Sequence, residues 1–179
     1  MTIKINMGCG KRNFGKEWIH IDLADFPHID HQDIFDFPYD NVDLIYASHL
    51  IEYFDRQEVL NLLTKWKSKL MNGGILRLAV PDFESITNLY KKNFSLDNFL
   101  GPLYGRMKLN DNFIYHKTVY DFISLKAILE SIGFINIKKW DHNQVEHGVY
   151  DDHSQAYIPH MDKTNGNLIS LNVECQNKV

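Results

Sequence analysis

Cysteine is scarce in this 179-residue sequence, which has only Cys9 and Cys175. Two such distant residues form neither the disulfide framework of a small secreted protein nor the spacing of a structural zinc site, so we expect both to stay reduced. Between residues 141 and 167 the chain carries four histidines, His142, His147, His153 and His160. Because their spacings do not share one helix face and no cysteine joins them, we predict no metal site.

Long apolar runs, repeats and an excess of positive charge are missing as well. No segment approaches the roughly 20 apolar residues of a membrane-spanning helix, and residues 1–4 lead into a predicted strand without the features of a signal peptide. The formal net charge is −4 and the lysines are scattered, which disfavours nucleic acid as a partner. We predict a soluble, cytoplasmic protein without membrane contact, folded as a single domain over residues 1–179.

The first distinctive stretch is a run of alternating β-branched residues that ends in Gly8, Cys9 and Gly10, followed by a second apolar run that ends at Asp22. Such a pattern places backbone and a carboxylate at the carboxyl edge of a sheet, where the carboxylate can accept from both hydroxyls of a ribose. Nucleoside binding is therefore the first hypothesis. The alternative, equally compatible with the glycines alone, is that they form a tight turn and that Asp22 only caps one.

The link between these two runs is short. Only residues 11–17 separate Gly10 from the second run, too few for the helix that dinucleotide-binding folds place there. Asn13 also stands where the third glycine of a dinucleotide fingerprint would be. The sequence thus predicts a loop as the first crossover and argues against a nicotinamide cofactor.

A βαβ unit is predicted in the middle of the chain. Residues 42–48 are typical of a central parallel strand, the apolar residues of 56–71 recur with helical period, and residues 75–80 form another buried strand. The Asn-Gly-Gly triplet at 72–74 is predicted to end the helix, because glycine adopts the left-handed conformation at low cost.

Later patterns are less regular. The segment 91–117 lacks periodicity but is rich in aromatic residues, which is more typical of a lid or substrate loop than of disorder. Around it we predict helices over 83–90 and 124–131, and strands over 134–140 and 168–174, the last of them near an edge of the sheet.

Residues 31–38 predict another short strand that ends at acidic residues, among them Asp33, and that Pro38 stops. The Asp33 carboxylate is well placed to accept from the exocyclic amine of an adenine, the interpretation that we favour. The alternative is ordinary turn chemistry ahead of Pro38.

In order and spacing, four motifs resemble those of the class I S-adenosylmethionine-dependent methyltransferases. They are residues 6–10 with Asp22 and Leu23, Asp33 with Ile34, residues 43–52, and residues 70–82. Within that class the chain is similar to a compact group of small-molecule methyltransferases (methyltransferase type 11-like) that is associated with surface-polysaccharide biosynthesis and has a loop in place of the first helix. Residues 116–121, 133–134 and 152–157 fit the same pattern.

This resemblance implies a Rossmann-like α/β fold with a mainly parallel seven-stranded sheet, an antiparallel last strand and helices on both faces. It implies S-adenosylmethionine as the cofactor, with the ribose at Asp22, the adenine between Asp33 and Ile34, and the sulfonium near Ser48 and His49. The implied cofactor-binding residues are Met7, Gly8, Cys9, Gly10, Asp22, Leu23, Asp33, Ile34, Ser48 and His49.

Two features depart from the family pattern. Many relatives read His-x-Leu-Glu-His after the fourth strand, whereas Tyr53 stands here in place of the second histidine. No helices precede Ile3, so we expect the ligand to be covered by residues 91–117 or by a second subunit of a homodimer. Glu52, in the same motif, either orients backbone at the helix start or is simply a favourable acid in the first turn.

Methyl transfer depends mainly on alignment and on a deprotonated acceptor. For a hydroxyl acceptor a histidine is the base best matched to neutral pH, and the candidates are His116, His49 and His153, each at or beyond a loop of the carboxyl edge. His116 also follows the aromatic segment that could close over the site. For each histidine, a structural or surface role is the alternative.

The leading hypothesis is a methyltransferase that acts on a small polar metabolite, with a sugar or nucleotide-sugar hydroxyl as the acceptor to try first. That acceptor rests on family analogy. A second hypothesis is a catalytically inactive S-adenosylmethionine-binding module that serves as a partner subunit. An aminopropyl transferase ranks last, because no acidic cluster suited to a polyamine is visible.

Overall fold

The computed structural model describes residues 2–178. In chain order its strands are β1 (Lys4–Met7), β2 (Ile19–Ile21), β3 (Val42–Ser48), β4 (Leu70–Pro81), β5 (Met107–Leu109), β6 (Asn112–Ile114), β7 (Phe134–Lys139), β8 (Tyr157–Ile158), β9 (Asn167–Leu168) and β10 (Ser170–Asn177). The α-helices are α1 (Arg56–Lys69), α2 (Phe83–Lys91), α3 (Asp97–Tyr104) and α4 (Phe122–Ser131). Short 3₁₀ helices lie at Ile51–Tyr53, His142–Gln144, Glu146–Val149 and His153–Gln155.

Six strands form one sheet in the order β2, β1, β3, β4, β10, β7. Strands β2, β1, β3 and β4 are parallel, and β10 is antiparallel to both of its neighbours. The predicted Rossmann-like α/β fold with an antiparallel last strand is confirmed, with six strands in place of seven. Because parallel strands end at the same edge, the residues that follow β1, β2 and β3 are neighbours.

The strand predicted over residues 31–38 is a turn. Its contact with the sheet is an isolated bridge between Ile21 and His31. Asp33 Oδ1 accepts from the backbone N–H groups of Phe35 and Asp36 at 2.7 and 3.1 Å. Such local bonds offer the backbone an alternative to strand pairing, which accounts for the difference in strand number.

The predicted last strand, near an edge of the sheet, is β10, which lies one strand in from the edge strand β7. Strand β10 lies between β4 and β7 and pairs with both. Its alternating polar residues include Ser170 and Asn172, which are buried and satisfied within the protein: Ser170 Oγ donates to Asn172 Oδ1, and Asn172 Nδ2 donates to the backbone oxygen of Ser154. The alternation of polar and apolar residues along β10 therefore reflects two different environments inside the protein, one apolar and one hydrogen-bonded.

The two faces of the sheet are covered differently. Helices α1 and α4 pack on one face through a large cluster that includes Leu62, Trp66 and Leu129. The other face is covered by Phe14 and Trp18 from the first crossover, which is a loop as predicted, and by aromatic residues near the 3₁₀ helix Glu146–Val149. The second helical layer implied by the resemblance is thus made of loop and short 3₁₀ helices.

The Asn-Gly-Gly triplet does not end α1, which stops at Lys69, but lies in the first part of β4. The register between β3 and β4 shifts between Val42 and Leu44. Gly73 has a φ of 81°, and a Cβ on Gly74 would lie 2.8 Å from the backbone oxygen of Val42. The glycines therefore permit a bulge rather than a helix end.

The aromatic segment 91–117 has its own elements. It contains the end of α2, α3 and an antiparallel hairpin of β5 and β6. Phe99 is buried in a small cluster with residues of α2, whereas several large apolar side chains stay exposed: Leu96, Leu100, Tyr104, Met107, Phe113 and Tyr115. Within residues 2–178 no helix is long and apolar enough to cross a membrane.

Candidate functional site

The glycine turn leaves β1 at the carboxyl edge of the sheet. Gly8 and Gly10 have φ values of 65° and 56°, a region that glycine adopts without penalty. A Cβ on Gly10 would meet nothing within 4 Å, so this part of the turn borders open space. A Cβ on Gly8 would lie 2.6 Å from Leu50 Cδ2, because the Leu50 side chain packs directly over Gly8.

Asp22 ties this turn to the end of β2. Its Oδ2 accepts from Gly10 N–H and its Oδ1 from Ala24 N–H, both at 2.8 Å. Each carboxylate oxygen keeps a further lone pair. The next side chain, Leu23, is apolar and 42% exposed. The structure therefore brings together Gly10, Asp22 and Leu23 of the predicted cofactor set, with free acceptor capacity beside an exposed apolar surface.

Met7 and Cys9 contribute to this turn through their backbone, because both side chains are buried. The Cys9 thiol lies 3.8 Å from His28 Nε2. Burial, with the nearby Asp22 carboxylate as the second cause, raises the pKa of Cys9 to about 12.

Asp33 and Ile34 interact with other parts of the chain. The Asp33 carboxylate is exposed and bound within its own turn, and the hydrogen bond from Phe35 N–H lowers its pKa. Ile34 is 1% exposed and belongs to the core under α1, where its backbone oxygen accepts from Trp66 Nε1 at 2.8 Å. Both residues have the structural roles that were the alternative for Asp33.

His49 follows β3 in a strained backbone conformation, with a φ of 52°. Its N–H donates to the backbone oxygen of Ala79 at 2.8 Å, which anchors this conformation. The preceding Ser48 Oγ is buried and has no hydrogen-bond partner among residues 2–178. Strain and an unsatisfied hydroxyl at one strand end are features that cluster at functional sites.

The contact of Glu52 with two of the candidate histidines is what sequence reasoning missed. The Glu52 side chain is fully buried, and Oε1 lies 3.4 Å from His49 Nδ1 and 3.7 Å from His116 Nε2. Desolvation raises its pKa to about 8. A signal was available in the sequence: Glu52 is the one charged residue of an otherwise uncharged stretch, 50–54, and stands three positions after His49.

The three predicted histidines are gathered around this carboxyl group. His49 and His116 both approach Glu52 Oε1, and His153 joins them through His49, with ring centroids 5.2 Å apart. Burial is the first cause that lowers the pKa of all three, so they are neutral at neutral pH. His153 remains exposed to solvent, unlike the other two. Among residues 2–178 no group of three candidate ligands is arranged to hold a metal ion.

His116 also contacts the 91–117 segment. Its Nδ1 is 3.0 Å from the backbone oxygen of Pro102, and its ring packs so closely on Gly105 that a Cβ there would overlap it. Tyr53, the residue that departs from the family motif, stacks edge-on against His116 at 4.6 Å and donates its hydroxyl to Gly105 O at 2.6 Å.

This chain was compared with protein families, curated proteins and solved structures. No protein-family model and no curated protein matches this sequence. Many solved structures match its fold. A SAM-dependent methyltransferase from Archaeoglobus fulgidus has a TM-score of 0.58 at 18% identity, and the match covers 98% of this chain and 86% of that one.

Two further matches are structures with named ligands. The Burkholderia thailandensis 1,6-didemethyltoxoflavin-N1-methyltransferase, with bound 1,6-didemethyltoxoflavin and S-adenosylhomocysteine, has a TM-score of 0.56 at 8% identity, covering 99% of this chain and 71% of that one. Human N-acetylserotonin methyltransferase in complex with SAM has a TM-score of 0.60 at 14% identity, with 99% of this chain spanning 48% of that one. This chain thus has the Rossmann-like fold of the class I S-adenosylmethionine-dependent methyltransferases.

Proposed function

We propose that this protein is an S-adenosylmethionine-dependent methyltransferase that acts on a hydroxyl of a small polar metabolite, with a sugar or nucleotide sugar as the first acceptor to test. The observation that carries the proposal is the meeting of two groups of residues at one sheet edge. Met7 pairs with Ala47 in neighbouring strands, and Leu50 touches Gly8. The glycine turn with Asp22 therefore borders the cluster of His49, Glu52 and their neighbours.

The residues of the turn suit the cofactor. The open space at Gly10 admits a ligand close to the backbone, Asp22 has acceptor lone pairs for two ribose hydroxyls, and Leu23 offers an apolar surface to an adenine. The buried Ser48 hydroxyl, at the end of β3, lies beside this edge in sequence and is a further polar group near it. Asp33 and Ile34 carry less of the binding in this proposal, because both are engaged elsewhere.

When bound, the cofactor supplies a methyl group on a positively charged sulfur. The chain's own part is to align the acceptor hydroxyl and to take its proton. A neutral imidazole does this well near neutral pH. His153 is the exposed histidine of the cluster, so it is the one placed to meet an acceptor from solvent, while His49 and His116 lie deeper. We propose residues 91–117 as a lid over this site.

Calorimetry with S-adenosylmethionine and S-adenosylhomocysteine tests the cofactor. We expect both to bind, and Asp22→Ala to weaken binding by about 1.5 to 3 kcal/mol, the range for lost hydrogen bonds to a charged group. Asp33→Ala is the matched control, since it removes a carboxylate that is exposed and bound within its own turn. If neither ligand binds at millimolar concentration, the proposal fails.

Catalysis is tested separately by release of S-adenosylhomocysteine in the presence of sugars and nucleotide sugars. Once an acceptor is found, we expect His153→Ala to lower turnover at neutral pH, and the loss to shrink as pH rises and hydroxide replaces the missing base. His160→Ala, a nearby exposed histidine, is the control. Binding of the cofactor without turnover on any acceptor would instead favour the inactive partner module.

A further inference from the structure

The protonation state of Glu52 can be read from its surroundings. Both of its carboxyl oxygens are buried and lack a hydrogen-bond partner among residues 2–178, and Oε1 faces one nitrogen of His49 and one of His116. A buried ionised carboxylate needs donors around it. Whether these two nitrogens are donors depends on what the far side of each ring binds.

For His116 the far side is a carbonyl. Nδ1 lies 3.0 Å from the backbone oxygen of Pro102, and a carbonyl oxygen can only accept. Nδ1 therefore carries the ring hydrogen. In the neutral ring, Nε2 is then a lone pair, and this is the nitrogen that faces Glu52.

For His49 a short chain of hydrogen bonds gives the answer. Asn172 Nδ2 donates to the backbone oxygen of Ser154, which leaves Asn172 Oδ1 as the acceptor for the Ser170 hydroxyl at 2.8 Å. Because the only hydrogen of the Ser170 hydroxyl is donated to Asn172, Ser170 Oγ accepts from His49 Nε2, 3.4 Å away. The nitrogen of His49 that faces Glu52, Nδ1, is therefore also a lone pair.

Two lone pairs thus converge on one carboxyl oxygen. The other charged groups near Glu52 do not compensate a negative charge there, since Arg56 bonds to Thr118 and Val119 and the Lys117 ammonium pairs with Glu58. The two tyrosines packed nearby, Tyr53 and Tyr120, are neutral, and burial raises the pKa of each. The charges of His153, His116 and Arg12 disfavour a charge on the His49 ring, whereas a hydrogen bond to the backbone of His153 favours it, and with desolvation as the first cause the pKa of His49 stays well below its usual value.

We propose that Glu52 is a positioning residue that keeps its proton at neutral pH and directs it to the lone pair of His49 Nδ1, the nearer of the two nitrogens, so that both rings stay neutral in the opposite tautomers set by Pro102 and Ser170. The raised pKa of Glu52 supports this assignment. Through the two rings, the carboxyl group links the end of β3 to the 91–117 segment. The role of Glu52 in catalysis rests on the proposed function, whereas the protonation state of Glu52 does not.

The test is NMR of the full-length protein labelled with ¹⁵N and ¹³C, without cofactor or acceptor. At neutral pH we expect His116 as the Nδ1–H tautomer, His49 as the Nε2–H tautomer, and the Glu52 side-chain carbon at the shift of a protonated acid. An imidazolium signal from either ring, or an ionised Glu52, would overturn the proposal.

Two variants of Glu52 distinguish a side chain that donates a proton from one that only fills space. Glu52→Gln stays neutral and can still donate from its amide, so both rings should stay neutral in the same tautomers. Glu52→Ala leaves the far-side partners of both rings in place but removes the donor, so the ¹⁵N signal of His49 Nδ1 should move toward that of a lone pair without a hydrogen bond. Glu58→Gln, an exposed glutamate of the next helix turn, is the control and should change neither ring. An unchanged His49 Nδ1 signal in Glu52→Ala would contradict the proposal, and if that variant does not fold, the wild type and Glu52→Gln decide. Because no cofactor is present, failure of cofactor binding would refute the proposed function alone.

Discussion

Cys9 stands in a turn that borders open space, yet its own side chain is 4% exposed. Its pKa is raised to about 12, and the thiolate is the reactive form of cysteine. We expect iodoacetamide to label Cys9 very slowly in the native protein near pH 8 and rapidly in denaturant, as followed by mass spectrometry. Cys175, buried with a raised pKa as well, should behave alike. Rapid native labelling of Cys9 would contradict the buried placement.

Gly8 and Gly10 share a backbone conformation but not their surroundings. Gly8→Ala places a methyl group 2.6 Å from Leu50, whereas Gly10→Ala finds open space. Both variants incur the cost of a left-handed alanine, about 1 to 2 kcal/mol. We therefore expect Gly8→Ala to lower the free energy of unfolding by more than Gly10→Ala does, as measured by urea denaturation. Equal losses would show that Leu50 moves aside freely.

At the scale of elements, the 3₁₀ helix Ile51–Tyr53 is an anchor for the segment 91–117. Tyr53 reaches Gly105, His116 reaches Pro102, and the backbone N–H of Lys117 donates to Glu52 O at 2.8 Å. The hairpin beyond α3 has exposed apolar side chains and few contacts of this kind. The mobility of this segment thus depends on a small number of polar contacts.

Removal of one anchor tests this view. We expect Tyr53→Phe, which deletes the hydroxyl bonded to Gly105, to speed tryptic cleavage after Arg106 or Lys108 because the segment opens more often. Tyr104→Phe is the matched control, since Tyr104 lies in the same segment and is 58% exposed. Fragments resolved by mass spectrometry give the rates. Equal cleavage in both variants would mean that the Tyr53 hydroxyl does not hold the segment.

At the scale of the whole molecule, His147 makes stability depend on pH. It is buried among aromatic rings, with Nε2 accepting from Arg77 Nη1 at 3.1 Å, and desolvation is the first cause that lowers its pKa to about 3. In the unfolded chain the same imidazole binds a proton below about pH 6.5. Between these values the unfolded state binds more protons, so stability falls as pH falls, by about 1.4 kcal/mol per pH unit.

His147→Phe keeps an aromatic ring in place and removes this titration. We expect its free energy of unfolding to depend less steeply on pH than that of the wild type between about pH 6 and about pH 4.5. Comparison of slopes separates the titration from the constant cost of leaving Arg77 without this acceptor. His160→Phe, at an exposed position, should keep the wild-type slope.

The parts of the fold that the sequence predicts well are those determined locally. Strand β3 matches the predicted bounds of 42–48, and α1 begins at the predicted Arg56, where Asp55 forms a capping box with Glu58. The glycine turn and Asp22 also follow from adjacent residues and meet as expected. In each case the residues that determine the local structure lie close together in the sequence.

The parts that differ depend on contacts between distant residues. The burial of the polar side of β10 depends on hydrogen-bond partners such as the backbone oxygen of Ser154, and the Asn-Gly-Gly bulge depends on the backbone of Val42. The Glu52 cluster combines side chains from the end of β3 and from the far end of the aromatic segment. Contacts between such distant residues leave no periodic pattern within a short stretch of sequence, so that stretch does not predict them.

The interior position of β10 bears on the order of folding. This strand forms its seven paired positions with β4, far earlier in the chain, and it alone connects β7 to the sheet. Contacts between distant residues slow folding, because a large loop must close before they form. During synthesis, β1 to β4 can pair as soon as they emerge, whereas β7 must wait for residues 170–177. Until then the β4 edge is unpaired, which makes the nascent chain most prone to aggregation at this stage.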